Sequence, residues 1–230
     1  MENHITIPKS SLDFLSHLKE NNNKPWFDAH KPEYLKELNH IETFAGALLQ
    51  ELSKTDLIET ASGKKSVYRI YRDIRFSKDK TPFKTFWGGS FTRATNERRG
   101  GYYFHIEKGN TFVGGGFWGP NTADLKRIRS EFGHDSESFR TILNSKSFVS
   151  TFGTLQGEQL KTAPKGFDTT HEAIDLLRYK QFLVLKRFTD DEVLSPQFLE
   201  QALETFKNMR PFLDYMSEVL TTDTNGASIL

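Results

Sequence analysis

The chain has 230 residues, 31 Lys and Arg against 30 Asp and Glu, and no cysteine. That length suits one large domain whose core needs no metal or disulfide, and the missing cysteines remove disulfides, thiolate nucleophiles and Cys-ligated zinc. A net charge of +1 gives no overall field toward nucleic acid, and no apolar run reaches the ~20 residues of a membrane helix.

Ser10 or Ser11 is expected to cap a first helix with Leu12, Leu15 and Leu18 on its buried side, stopped by Asn21-Asn22-Asn23. Pro32 suits the first turn of a long amphipathic helix, on which Tyr34, Leu38, Ile41, Ala45, Leu48 and Leu52 recur at helical spacing. Val67, Ile70, Tyr71 and Ile74 form a helical stripe, while the aromatic and β-branched content of Val67 to Phe76 equally allows a strand. Ser77 to Pro82 reads as a loop and Thr85 to Thr92 as a strand. Gly100 to Glu107 and Thr111 to Trp118 read as a β-hairpin turning at Lys108-Gly109-Asn110, with Tyr103, His105 and Glu107 on one face. Gly114-Gly115-Gly116 predicts a bulge or a place where another group nears the backbone.

Helices are expected from Pro120 to about Phe132 and from Ser136 to Leu143. Ser147 to Gly157 reads as irregular or briefly helical, and Gly157 to Lys161 as a short strand. A helical turn or two follows at Ala173 to Arg178, then a strand at Gln181 to Phe188. Ser195-Pro196 opens a last helix with Phe198, Ala202, Phe206, Met209, Leu213 and Met216 along one side. Residues 1–220 are expected to form a single domain and residues 221–230 a flexible tail. The fold class predicted is α+β, a central antiparallel sheet flanked by N-terminal and C-terminal helices.

Charge is unevenly placed. Lys64 to Arg99 holds 11 Lys and Arg against 3 Asp and Glu, a local +8, and the remaining 20 against 27 give −7. Six cations fall within Tyr68 to Lys84: Arg69, Arg72, Arg75, Lys78 and Lys80, expected to hold an anion, and Lys84, expected at the margin. Arginine forks and lysine point charges converging in this way suit a multiply charged anion such as phosphate. Paired with acids elsewhere, the same residues would be an ion-pair framework, and both readings stay open.

His105 is the candidate for proton transfer, with Glu107 or Asp73 orienting a partner. A metal there would need a further ligand, and none is expected. Trp26 and Phe27 read as core contacts at a helix entry, Asp28 and His30 as capping or surface residues. Arg93, Arg98 and Arg99 beside Phe91, Tyr102 and Tyr103 have the ingredients of a single-strand nucleic-acid platform.

The expected function is binding of a small anionic or phosphorylated ligand by a cytoplasmic domain without a secretion signal or membrane partner. A nucleic-acid-associated module and a protein-interaction domain with structural ion pairs are the alternatives. Reaction, cofactor and oligomeric state carry no signature in the sequence.

Several stretches together resemble one family: Asn21 to Phe27, Tyr68 to Lys84, Gly101 to Glu107, Pro164 to Asp168 and Leu176 to Lys180, in matching order. The chain is similar across nearly its whole length to the uncharacterised family catalogued as domain of unknown function 2461. The resemblance implies one full-length domain and brings no activity. The quoted motifs show no clear departure from it, though the family often has Tyr where this chain has Phe83.

Overall fold

The structure, a computed structural model, describes residues 5–223 and 226–230. Its helices and strands form an α+β fold around a four-stranded antiparallel sheet of order β1-β2-β3-β4: β1 (Trp87–Thr92), β2 (Gly101–Ile106), β3 (Thr111–Phe117) and β4 (Phe182–Phe188). The chain divides into two compact units. One runs to Phe91 and adds Tyr103–Val113 and Arg187–Glu204; the other takes Thr92–Tyr102, Gly114–Lys186 and the chain from Thr205 onward.

The first unit begins with α1 (Lys9–Glu20), α2 (Lys24–Ala29), α3 (Lys31–Leu52) and α4 (Gly63–Ser66). The α1 prediction needs one correction: the helix starts at Lys9 behind Pro8 and has no side-chain cap. The hydroxyls of Ser10 and Ser11 go instead to Glu37 Oε2, at 3.0 and 2.7 Å. This also moves the inner face of α3. Ile41, Ala45, Leu48 and Leu52 are buried as expected, joined by Phe44, but Glu37 is sealed in where the apolar stripe pointed to the half-exposed Leu38. A buried carboxylate is tolerable because two hydroxyls replace the water it loses. Phe44 stacks on Phe198 at 5.2 Å and meets Phe104 edge-on at 6.2 Å.

Val67 to Phe76 is neither the helix nor the regular strand that its composition allowed. It is an irregular ribbon lying against residues 82–89, through isolated bridges Val67↔Gly89 and Tyr71↔Phe83. Tyr68 N donates to Gly88 O, Arg72 N to Pro82 O and Lys84 N to Ile70 O, at 2.8, 2.9 and 2.7 Å. With its backbone donors committed to those partners, no helical turn forms, and of the four stripe residues only Ile70 is buried.

The second unit holds α5 (Thr122–His134), α6 (Glu137–Leu143), α7 (Lys146–Phe152) and α8 (Ile174–Leu177). After β4 the chain forms the short α9 (Asp190–Leu194), and α10 (Phe198–Thr221) closes it. Phe132 stacks on Phe139 at 4.7 Å and meets Phe182 edge-on, and Phe206, Met209, Phe212, Leu213 and Met216 are all fully buried. Gly157 to Lys161 makes a single isolated bridge, Gln159↔Tyr179, just after the Gln156↔Leu183 bridge, rather than a strand.

The glycine triplet is explained by neighbouring backbone. A Cβ on Gly114 would lie 2.3 Å from Val184 O, and one on Gly115 would lie 2.2 Å from Gly101 O. Strand backbone therefore fills the space that a ligand would need. Of the expected tail, residues 224 and 225 lie outside the described residues; Thr222 and Ser228 pair in an antiparallel bridge.

Candidate functional site

The cationic segment owes its shape to contacts with residues far away in sequence. Asn22, just after α1, uses its side-chain amide as a substitute strand: Nδ2 donates to Phe83 O at 3.0 Å and Oδ1 accepts from Phe83 N at 3.1 Å. Phe83 is buried and stacks on Phe27 at 4.1 Å. Trp26 stacks on His30 at 3.9 Å, and Asp28 is exposed. Residues 81–86 are thereby pinned to the end of α1, opening a hollow of about 570 Å³. Lys19, Arg72 and Lys84 line it together with the acids Asp73 and Asp79, and with Asn22, Thr85 and Phe86.

The six predicted cations separate. Arg72 donates to Asp79 Oδ2 at 2.5 Å, to Thr81 O at 3.1 Å and to Thr81 Oγ1. The Thr81 backbone N–H and this guanidinium pull the Asp79 carboxyl down to about 2. Arg75 forms a two-pronged pair with Asp73, at 2.9 and 2.6 Å, in full solvent contact. Lys80 donates to Ile74 O, while Arg69 and Lys78 are exposed. Only Arg72 and Lys84 of the six reach the hollow.

Lys84 is the distinctive group. Its Nζ donates to Arg69 O at 2.6 Å and to Tyr71 O at 2.7 Å, which leaves its third N–H. Burial first, then the charges of Arg69 and Arg72, push this ammonium below its ordinary value.

His105 and Glu107 do come together, on the predicted face of β2. Tyr103 Oη lies 3.0 Å from His105 Nδ1, and His105 Nε2 lies 3.1 Å from Glu107 Oε2. Burial raises the Glu107 carboxyl, but the Asn110 amide, the His105 ring and Lys19 outweigh it and hold it below its ordinary value. An ionised Glu107 can only accept, so Nε2 carries the proton and Nδ1 accepts from the Tyr103 hydroxyl. Burial, against the pull of Glu107, holds the imidazole below its ordinary value and hence neutral. Both ring nitrogens are thus engaged inside the protein. Burial, with Tyr68 and Glu107 nearby, pushes the Tyr103 hydroxyl up to about 12. Asp73 stays with Arg75, so of the two carboxylates Glu107 is the one bonded to His105.

The His105 ring is also held by its faces. It stacks on Phe86 at 4.3 Å and on Phe112 at 4.7 Å, with planes 28° and 10° apart. Sequence reasoning overlooked both Phe86 and Lys19. Alternation along β2 marked His105, but nothing local says that the ring of residue 86 lies over it.

The arginines of the second unit have structural partners. Arg93 is buried, donating to Asp214, to Ser217 Oγ at 3.2 Å and to Arg99 O at 3.3 Å. Arg99 pairs with Asp124 at 2.6 Å. That unit has a larger hollow of about 680 Å³, which contains none of the predicted site residues. Among the described residues no three His, Asp or Glu side chains converge as a metal site, and no helix is long and apolar enough to cross a membrane.

The profile of the family described as Conserved hypothetical protein (DUF2461) matches residues 10–215 of the chain. No match is found among curated proteins or among solved structures.

Proposed function

The chain belongs to that conserved hypothetical family, which lends it no reaction, and we propose from its site that it is a cytoplasmic domain binding a small anionic, phosphate-bearing ligand in the hollow of the first unit. Lys84 carries the proposal. A half-buried ammonium held by two carbonyls beside two other cations gains from an incoming anion, which relieves their mutual repulsion. Arg72, Lys19 and Asn22 line the same space.

Calorimetric titration of inorganic phosphate and ribose 5-phosphate tests it on wild type and Lys84→Met. Binding by wild type, lost in a variant that melts normally, is the expected result. Absence of binding by wild type refutes the proposal.

A second reading rests on the Arg72–Asp79 and Arg75–Asp73 pairs. If those pairs are the purpose of the arginines, the segment is a rigid protein-interaction surface, and arginine substitutions will act through stability alone.

A further inference from the structure

We infer that the ligand of this hollow is a nucleotide or a single-stranded nucleic acid, whose base stacks on Phe86 while its phosphate meets Lys84 and Arg72. The inference rests on the anion-binding reading and extends it to the ligand's other half. A phosphate alone needs only a cluster of donors, whereas this hollow, at about 570 Å³, has the size of a small-molecule site. Beside its cations it presents an aromatic wall. Phe86 is half-buried, two residues after Lys84, and lines the same space.

What makes Phe86 suited to stacking is its backing. Behind it lies His105, and His105 rests in turn on Phe112, three rings in succession. His105 cannot turn, because Tyr103 and Glu107 hold its two nitrogens. Glu107 is fixed by the Asn110 amide at 2.8 Å, and Asn110 Oδ1 accepts from Arg187 at 2.8 Å. A plate already immobilised loses little entropy when a flat ring settles on it. In this account His105 is a positioning residue for Phe86. The cation-beside-plate arrangement is the one by which proteins hold nucleotides and single strands without reading sequence. Tyr68, Tyr71 and Phe76, exposed among Arg69, Arg75 and Lys78 on the adjoining ribbon, would extend the track for a longer strand.

The experiment is calorimetry with inorganic phosphate, ribose 5-phosphate, adenosine monophosphate and a short single-stranded oligonucleotide. Wild type is compared with Phe86→Leu, Phe86→Trp and His105→Asn, each checked by a thermal melt. Stacking is expected to make the mononucleotide bind about 10-fold tighter than ribose 5-phosphate. Phe86→Leu should abolish that preference, Phe86→Trp should keep it, and His105→Asn should shrink it. An oligonucleotide tighter than the mononucleotide assigns the site to a single strand, and equality assigns it to a free nucleotide; both support the inference. If ribose 5-phosphate binds as well as the mononucleotide and Phe86→Leu changes neither, the base has no place here, although the anion site stands. If none of the four compounds binds, the anion site and this inference fall together.

Discussion

The hydroxyl of Ser11 donates to the carboxylate of Glu37 over 2.7 Å, both residues sealed from solvent. Ser10 donates to the same oxygen at 3.0 Å from a less buried position. Ser11→Ala should therefore cost about 1–3 kcal/mol, because a buried acceptor loses a donor that water cannot replace. Ser10→Ala should cost less. Chemical denaturation of both variants checks the order, and equal losses would contradict it.

Leu48 is fully buried on α3. Leu48→Ala should destabilise by about 2–5 kcal/mol, through lost transfer energy and an unfilled cavity. A denaturation midpoint unchanged from wild type would show that α3 buries another face.

Stability should depend on pH through His105. Its native-state value lies below the ordinary 6.5, because burial disfavours the imidazolium. As pH falls through 6.5 the unfolded chain takes up a proton that the native ring refuses, so unfolding becomes easier. The loss stops once the native ring also protonates. Glu107 adds a second loss at lower pH: its native carboxyl titrates below the ordinary 4.5, so its contribution is complete above that value and disappears as pH falls through the native one. Urea midpoints between pH 8 and pH 5 should decline in wild type and stay flatter in His105→Asn. A wild-type midpoint that holds steady across this range would contradict the assignment.

Anion binding should weaken as salt rises, since part of the attraction is Coulombic. Arg72→Ala should remove a charge-assisted contact of about 1.5–3 kcal/mol. Arg72→Lys should lose part of it, keeping the charge without the fork. Because Arg72 also holds Asp79 and Thr81, a melt must accompany each titration. A main defect in stability would favour the interaction-surface reading.

Elements whose partners matter little were legible in the sequence. The heptad-like spacing of α3 and the alternation and tight turn of β2 and β3 are properties of short windows, and all three elements formed where expected. The inner face of α3 was misjudged at Glu37 because the hydroxyls that satisfy it lie on α1. Val67 to Phe76 carried a helical stripe, but its backbone pairs with residues 82–89, which no local periodicity encodes. At the site, charge density marked Arg72 and Lys84, and the β2 face marked His105 and Glu107. Lys19 and Phe86 escaped because each enters only through a long-range contact, one by the Asn22–Phe83 amide pairing and the other by a ring stack.

Each unit is assembled from three separate stretches of chain, alternating with those of the other. During synthesis the first unit reaches its last piece only when Glu204 has been made, after most of the second has already emerged. Neither is complete until most of the chain has been made, unlike tandem domains, which fold one after another from the ribosome. A fragment ended at Phe91 would keep Lys84 and Phe86 yet lack His105 and Phe112, leaving the hollow without its backing. No single cut in the chain therefore separates one unit from the other.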